Sequence, residues 1–183
     1  MKQVYIFLAE GFEEIEAITP IDVLRRADIQ VTTVSITNNH KVNGAHNIPV
    51  IADITYEKSD YSDADLVILP GGMPGTINLN EHEALKQLLV KLAKSQKLIG
   101  AICAAPMILG ELELLKGKQA TCYPGFQKHL KSAQYTASSS EVSDGIVTAN
   151  GVGSALTFAL ELVSLIKGKK IASELATKML YNF

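Results

Sequence analysis

The sequence has no tryptophan, only two cysteines, only six prolines and no marked excess of either charge. Two thiols among 183 residues cannot form a disulfide framework. A chain of this length with 47% hydrophobic residues buries a core without one. There is no C-x-x-C pair and no close His/Cys spacing, so a structural zinc site is not expected. The apolar fraction excludes disorder, and the small share of glycine and proline excludes collagen-like and low-complexity chains. Seventeen basic against nineteen acidic residues leave a net charge of −2, without the basic stripe that nucleic acid or an anionic membrane requires. No apolar run approaches a membrane span, and Val4–Ala9 is too short for a signal sequence and is followed at once by Glu10, Glu13, Glu14 and Glu16. These absences predict a cytoplasmic protein with reduced thiols, one domain over residues 1–183, and no cofactor, metal, nucleic-acid partner or membrane contact.

Strand-like and helix-like stretches alternate along the chain. Val4–Ala9 is a continuous apolar run, the mark of a strand buried on both faces. Residues 14–26 carry Ile15, Ile18, Ile21, Val23 and Leu24 at helical spacing, with Arg25 and Arg26 at the negative end of the helix dipole. Strands are predicted at 30–36, 65–69, 98–102, 119–122 and 145–149, with an irregular one at 48–51 beside turns at Asn38-Asn39 and Asn43-Gly44. Helices are predicted at 80–95 with Asn80 as N-cap, at 106–115, at 154–166 and at 171–180. This order implies right-handed βαβ units and a mostly parallel sheet covered by helices on both faces. Ligands bind such sheets at the carboxyl ends of the strands, so the residues just after strands carry the information.

Three such segments stand out. After the first strand come Glu10, Glu13, Glu14 and Glu16; Glu13 and Glu14 read as a solvated first helical turn, whereas Glu16 falls where partial burial would raise its pKa. After 98–102 comes Cys103-Ala104-Ala105-Pro106, a reactive residue between a buried strand and a helix, with small neighbours: a nucleophile elbow. Backbone N–H groups and the dipole at a helix start would lower a thiol pKa there. The same pattern also suits an inert core cysteine, and spacing alone leaves both readings open. After 65–69 comes Pro70-Gly71-Gly72-Met73-Pro74-Gly75, whose glycines can expose N–H groups as an oxyanion site needs, or form a plain turn. Gly151-Val152-Gly153-Ser154 is half a dinucleotide fingerprint without its third glycine, and reads as close helix–sheet packing.

Together, Glu13-Glu14-Ile15-Glu16, Val67-Ile68-Leu69-Pro70-Gly71-Gly72, Ala101-Ile102-Cys103-Ala104-Ala105-Pro106 and Gly151-Val152-Gly153-Ser154 resemble the ThiJ/PfpI superfamily, in its branch around the Parkinson disease protein deglycase. The resemblance runs along practically the whole chain. It implies a flavodoxin-like three-layer α/β/α sandwich, a homodimer, and cofactor-free chemistry on small reactive aldehydes or glycated adducts. Carried over residue by residue, Cys103 is the nucleophile and redox-sensitive thiol and Glu16 its hydrogen-bond donor and general acid/base. The backbone of Gly71, Gly72 and Ala104 forms the oxyanion or sulfinate site. The alternative function is an oxidative-stress sensor through Cys103 sulfinate.

The departures are informative. Peptidase members have a histidine directly after the cysteine; Ala104 stands here, which disfavours proteolysis. The deglycase branch has a histidine in a Thr-x-His-Pro loop; this chain has Thr121-Cys122-Tyr123-Pro124, placing Tyr123 there. His46 matches an arginine that approaches the site from a partner subunit, and reads either as a replacement imidazole or as an ordinary loop histidine. His40, His82 and His129 read as exposed, Cys122 as a buried strand residue, and Asn150 has no assigned role. Glutamine amidotransferase chemistry lacks its His-x-Glu pair.

Overall fold

The computed structural model describes residues 2–183. The elements are β1 (Gln3–Leu8), α1 (Glu14–Arg26), β2 (Gln30–Ser35), β3 (Lys41–Asn43), β4 (Pro49–Ile51) and β5 (Ile54–Thr55). They continue with β6 (Ala64–Leu69), α2 (Gly75–Glu81), α3 (Glu83–Lys94), β7 (Leu98–Ile102) and α4 (Pro106–Glu111). The chain then runs through β8 (Gln119–Ala120), β9 (Gln134–Tyr135), β10 (Ser140–Ser143), β11 (Ile146–Ala149), α5 (Ala155–Lys167) and α6 (Lys169–Lys178).

Seven strands form one sheet in the order β10-β11-β7-β6-β1-β2-β5. All pairs are parallel except β10 with β11. Both faces are covered, as the continuous apolar strands require. Along β1, Val4, Ile6 and Leu8 pack in the core beneath α1, α5 and α6, while Tyr5 and Phe7 pack in the core on the α3 and α4 side. The architecture is the mostly parallel, helix-covered sheet that the strand–helix alternation predicts, in the flavodoxin-like α/β sandwich that the resemblance implies. The chain goes from β1 to β2 on one side and resumes at β6 on the other. The order therefore reverses between β1 and β6, and the carboxyl ends of β1, β6 and β7 meet there.

Several local expectations need correction. The helix predicted at 80–95 is two helices. Asn80 lies inside α2, and the N-cap of α3 is His82, whose Nδ1 accepts the Leu85 N–H at 3.1 Å. A histidine cap is not in the usual capping set, so the pattern points to Asn80 instead. α4 stops at Glu111 instead of 115. The strand at 119–122 is only Gln119–Ala120, so the buried Cys122 lies beyond it. Asn43 ends β3, which pairs with β4 in a hairpin, rather than marking a turn. The edge strand β10 has no apolar alternation and escapes sequence reading. His82 and His129 are half-buried, against Tyr56 and Glu111 respectively, while His40 is exposed.

Candidate active site

Cys103 directly follows β7 at φ +65°, a left-handed conformation costly for a residue with a Cβ. Its N–H donates to the Ala149 carbonyl at 2.8 Å, and its carbonyl accepts the Tyr123 N–H at 2.8 Å. Neighbouring backbone thus holds the elbow from both sides. α1 delivers Glu16 to the same place. Glu16 is completely buried, its Oε2 accepts the Gly71 N–H at 3.0 Å, and its Oε1 has no partner. Gly71 explains the close fit: a methyl group there would stand 2.5 Å from Glu16 Oε2 and 3.1 Å from Cys103 Sγ. Gly72, at φ +90°, has no room for a side chain against the backbone of Gly11 and Glu13.

Burial raises the Glu16 pKa to about 7, against the thiol and the Gly71 N–H, which favour its anion. Burial also pushes the Cys103 thiol up, as do the charge of Glu16 and its hydrogen bond, to about 12; the N–H groups of Ala104 and Gly72 pull the other way. The lowered thiol pKa expected from the elbow is therefore not what an ionised Glu16 permits. α4 has only six residues, too short for its dipole to offset burial. The two groups titrate as one unit. When one proton is left, the charge is better placed on sulfur, which is half-buried and faces two N–H groups. Glu16 is sealed in with one N–H and an unpartnered Oε1.

A cavity of about 500 Å³ opens over the pair, lined by Glu13, Ile15, Glu16, His46, Gly72, Met73, Cys103, Ala104, Tyr123, Phe126 and Val152. All the site residues expected from sequence except Gly71 line it, and Gly71 sits directly behind. Tyr123 is half exposed at the rim, in edge-to-face contact with Phe126 at a centroid distance of 6.5 Å. Asn150 is not in the wall; its N–H bonds to the Ser139 carbonyl.

Glu14 overturns the solvated-turn reading. It is 6% exposed, and its Oε1 accepts the His46 N–H at 2.7 Å and the Ile48 N–H at 3.4 Å. Its Oε2 meets His46 Nδ1 at 2.9 Å. Burial alone would raise the Glu14 pKa, but these hydrogen bonds outweigh it and lower it. The His46 pKa is raised, first by the Glu14 hydrogen bond and then by the charges of Glu13 and Glu14. The sequence signal for this pair is Gly44, read only as a turn: a Cβ there would collide with the Glu14 carboxyl. Glu13, Glu14 and His46 bring three ligand-type atoms within 4.8 Å, a grouping that could hold a cation and that linear spacing hides. Both Glu14 oxygens are already engaged by the hairpin, which favours a structural and proton-handling use.

The class of protein is set by an α/β sandwich with a cysteine elbow facing a buried carboxyl at the switch point. The chain belongs to the DJ-1/PfpI family, whose family model matches residues 2–165. It is 38% identical over 177 residues to Protein DJ-1 homolog B of Arabidopsis thaliana, covering 96% of this chain and 40% of that protein. It spans less than half the length of that plant relative. It is 31% identical over 168 residues to the glutathione-independent glyoxalase DJR-1.2 of Caenorhabditis elegans, covering 91% of this chain and 89% of that protein. Among solved structures, oxidized Toxoplasma gondii DJ-1 superposes with a TM-score of 0.96 at 34% identity over the full length of both chains. No helix among the described residues is long and apolar enough to cross a membrane.

Proposed function

We propose that the protein is a cofactor-free, cysteine-dependent enzyme that converts small reactive 2-oxoaldehydes, or their adducts, into hydroxy acids. The observation that carries this reading is the half-buried Cys103 sulfur between two N–H donors and a fully buried Glu16 with a free Oε1. Sγ bonds to the aldehyde carbon, and the carbonyl electron pair moves onto oxygen, which takes the Glu16 proton while the N–H groups of Gly72 and Ala104 donate hydrogen bonds to it. Glu16, now a carboxylate, removes the proton from that same carbon, the electron pair moves onto the neighbouring carbonyl oxygen, and this enediolate oxygen takes the hydroxyl proton of the first carbon. Return of the proton to the adjacent carbon leaves a thioester on Cys103. Water then breaks the C–S bond and releases the hydroxy acid, so that oxoaldehyde plus water becomes product with no net redox change. The name of the nematode relative supports the same substrate class. Lactate formation from methylglyoxal tests it: the expectation is turnover lost in Cys103→Ala and Glu16→Ala, and equal rates in wild type and Cys103→Ala would sink it.

A second reading, oxidative sensing, draws on the same N–H donors. The Cys103 thiolate would take one oxygen from each of two peroxide molecules, giving a sulfinate and two waters. Intact mass after peroxide treatment decides it: no selective two-oxygen gain at Cys103 removes this reading. Proteolysis is disfavoured by Ala104. We also propose a homodimer, supported by the exposed Ile15 and Ile18 on α1 and Ile48 and Ile51 of the neighbouring hairpin, 43–68% exposed. A purely monomeric sedimentation profile at micromolar concentration would refute it.

A further inference from the structure

We propose that His46, oriented by Glu14, is the general base that activates the water releasing product from Cys103. This rests on the aldehyde reading above, whose last intermediate is a thioester needing a base in contact with water. Glu16 is badly placed for that step, because it is sealed in beside the sulfur. His46 lies in the wall of the same cavity, and its side chain is 67% exposed within one protomer, on the hairpin that also carries part of the proposed dimer face.

The geometry fixes which nitrogen is free. Glu14 is a buried carboxylate whose Oε1 is held by two hairpin N–H groups, so Oε2 keeps a set position 2.9 Å from Nδ1. A carboxylate there accepts, so the proton of the neutral ring sits on Nδ1 and the lone pair on Nε2. Carboxylate and imidazole then form an orienter–base pair in the wall of the cavity that also holds the nucleophile. Glu13 Oε2, 3.6 Å from Nδ1, adds negative charge from the residue just before α1, and Glu16, Cys103 and Tyr123 are the other titratable groups in the wall of the same cavity.

In the step itself, Nε2 takes a proton from water while the water oxygen bonds to the thioester carbon. The carbonyl electron pair moves onto oxygen, beside the N–H groups of Gly72 and Ala104. Its return re-forms the C=O bond and breaks the C–S bond. The bond pair stays on Sγ as thiolate, and the imidazolium gives its proton to solvent. Glu14 is a positioning residue, since it touches neither water nor substrate. The arrangement gives this chain an imidazole although Tyr123 stands at the branch's usual histidine.

The test is methylglyoxal turnover with intact-mass sampling of the enzyme. His46→Gln is expected to slow steady-state lactate release about a hundredfold, with a lactoyl adduct accumulating on Cys103. Glu14→Gln, which keeps an acceptor for the backbone N–H groups but loses the charge, is expected to move the pH midpoint of product release downward. A merely structural Glu14 would lower the rate with the midpoint unchanged, which overturns the positioning role. Wild-type lactate formation matched by His46→Gln, with no adduct, overturns the proposal and leaves the aldehyde reading standing. Absence of lactate from the wild type overturns both.

Discussion

Replacing Glu16 by alanine asks where the single negative charge of the Glu16–Cys103 pair resides. Both groups cannot ionise together near neutrality. A methyl group on Gly71 would lie 2.5 Å from Glu16 Oε2 and 3.1 Å from Cys103 Sγ, so the two atoms are at most about 6 Å apart. At about 5 Å and an effective dielectric of 20, two like charges repel by about 3 kcal/mol, or roughly two pKa units. The pair therefore loses its first proton near 7, the raised value of Glu16, and its second only near 12, the value of the thiol beside ionised Glu16. In between, sulfur holds the charge and the Glu16 O–H donates to it. A hydrogen bond to a charged group contributes about 1.5–3 kcal/mol. Glu16→Ala should then raise the alkylation midpoint of Cys103 by about one to two pKa units and cut the thiolate fraction at pH 7 roughly tenfold or more. Iodoacetamide rates against pH, read by peptide mass, report this, because Cys122 is fully buried. An unchanged or lower midpoint would show that the carboxylate was repelling the thiolate and that the proton had been on sulfur, refuting the reasoning.

Three further outcomes follow from the same geometry. Because the Glu16–Cys103 pair gives up its first proton only at about 7, above the ordinary 4.5 of the carboxyl, the folded state binds this proton more tightly. Its contribution to stability is complete below about pH 4.5 and is lost by pH 7, by at most about 3 kcal/mol; urea midpoints at pH 5 and 8 should converge in Glu16→Gln, and an undiminished pH slope there refutes the assignment. Gly71→Ala places a methyl 2.6 Å from Cys103 Cβ and should cost about 1–3 kcal/mol and most of the reactivity of Cys103, whereas wild-type alkylation would mean the elbow adjusts freely. Phe158 is fully buried against Gly100, so Phe158→Ala should cost about 3–5 kcal/mol by chemical denaturation; a loss below 1 kcal/mol would mean that this part of the core collapses to fill the void.

Much of the fold is legible because burial on both faces leaves long apolar runs. Val4–Ala9, 65–69 and 98–102 are strands for that reason, and the helices between them carry stripes such as Leu85, Leu88, Leu89 and Leu92. Illegible elements obey other forces. β10 pairs at an edge without an apolar face, and α3 is capped by a histidine, His82, whose ring also packs tilted against Tyr56. At the site, Cys103 stands out through its small neighbours and its place after a buried strand. Glu14 does not, because its burial depends on a hairpin thirty residues away that carries Gly44 and His46.

The sequence by itself determined that strands and helices alternate, that the sheet is mostly parallel, and that one cysteine stands at a strand end in a carboxylate-rich neighbourhood. It also singled out Glu16 as the carboxyl beside the thiol; only the tertiary structure decided that Glu14 is buried too and anchors a histidine. Glu14 and Glu16 are two residues apart on α1 and chemically identical. One faces the N–H groups of a docked hairpin, which favour its anion, and the other faces a dry strand junction, which favours its acid. A proton's position depends on solvation and hydrogen bonding, and these exist only after distant segments have packed together.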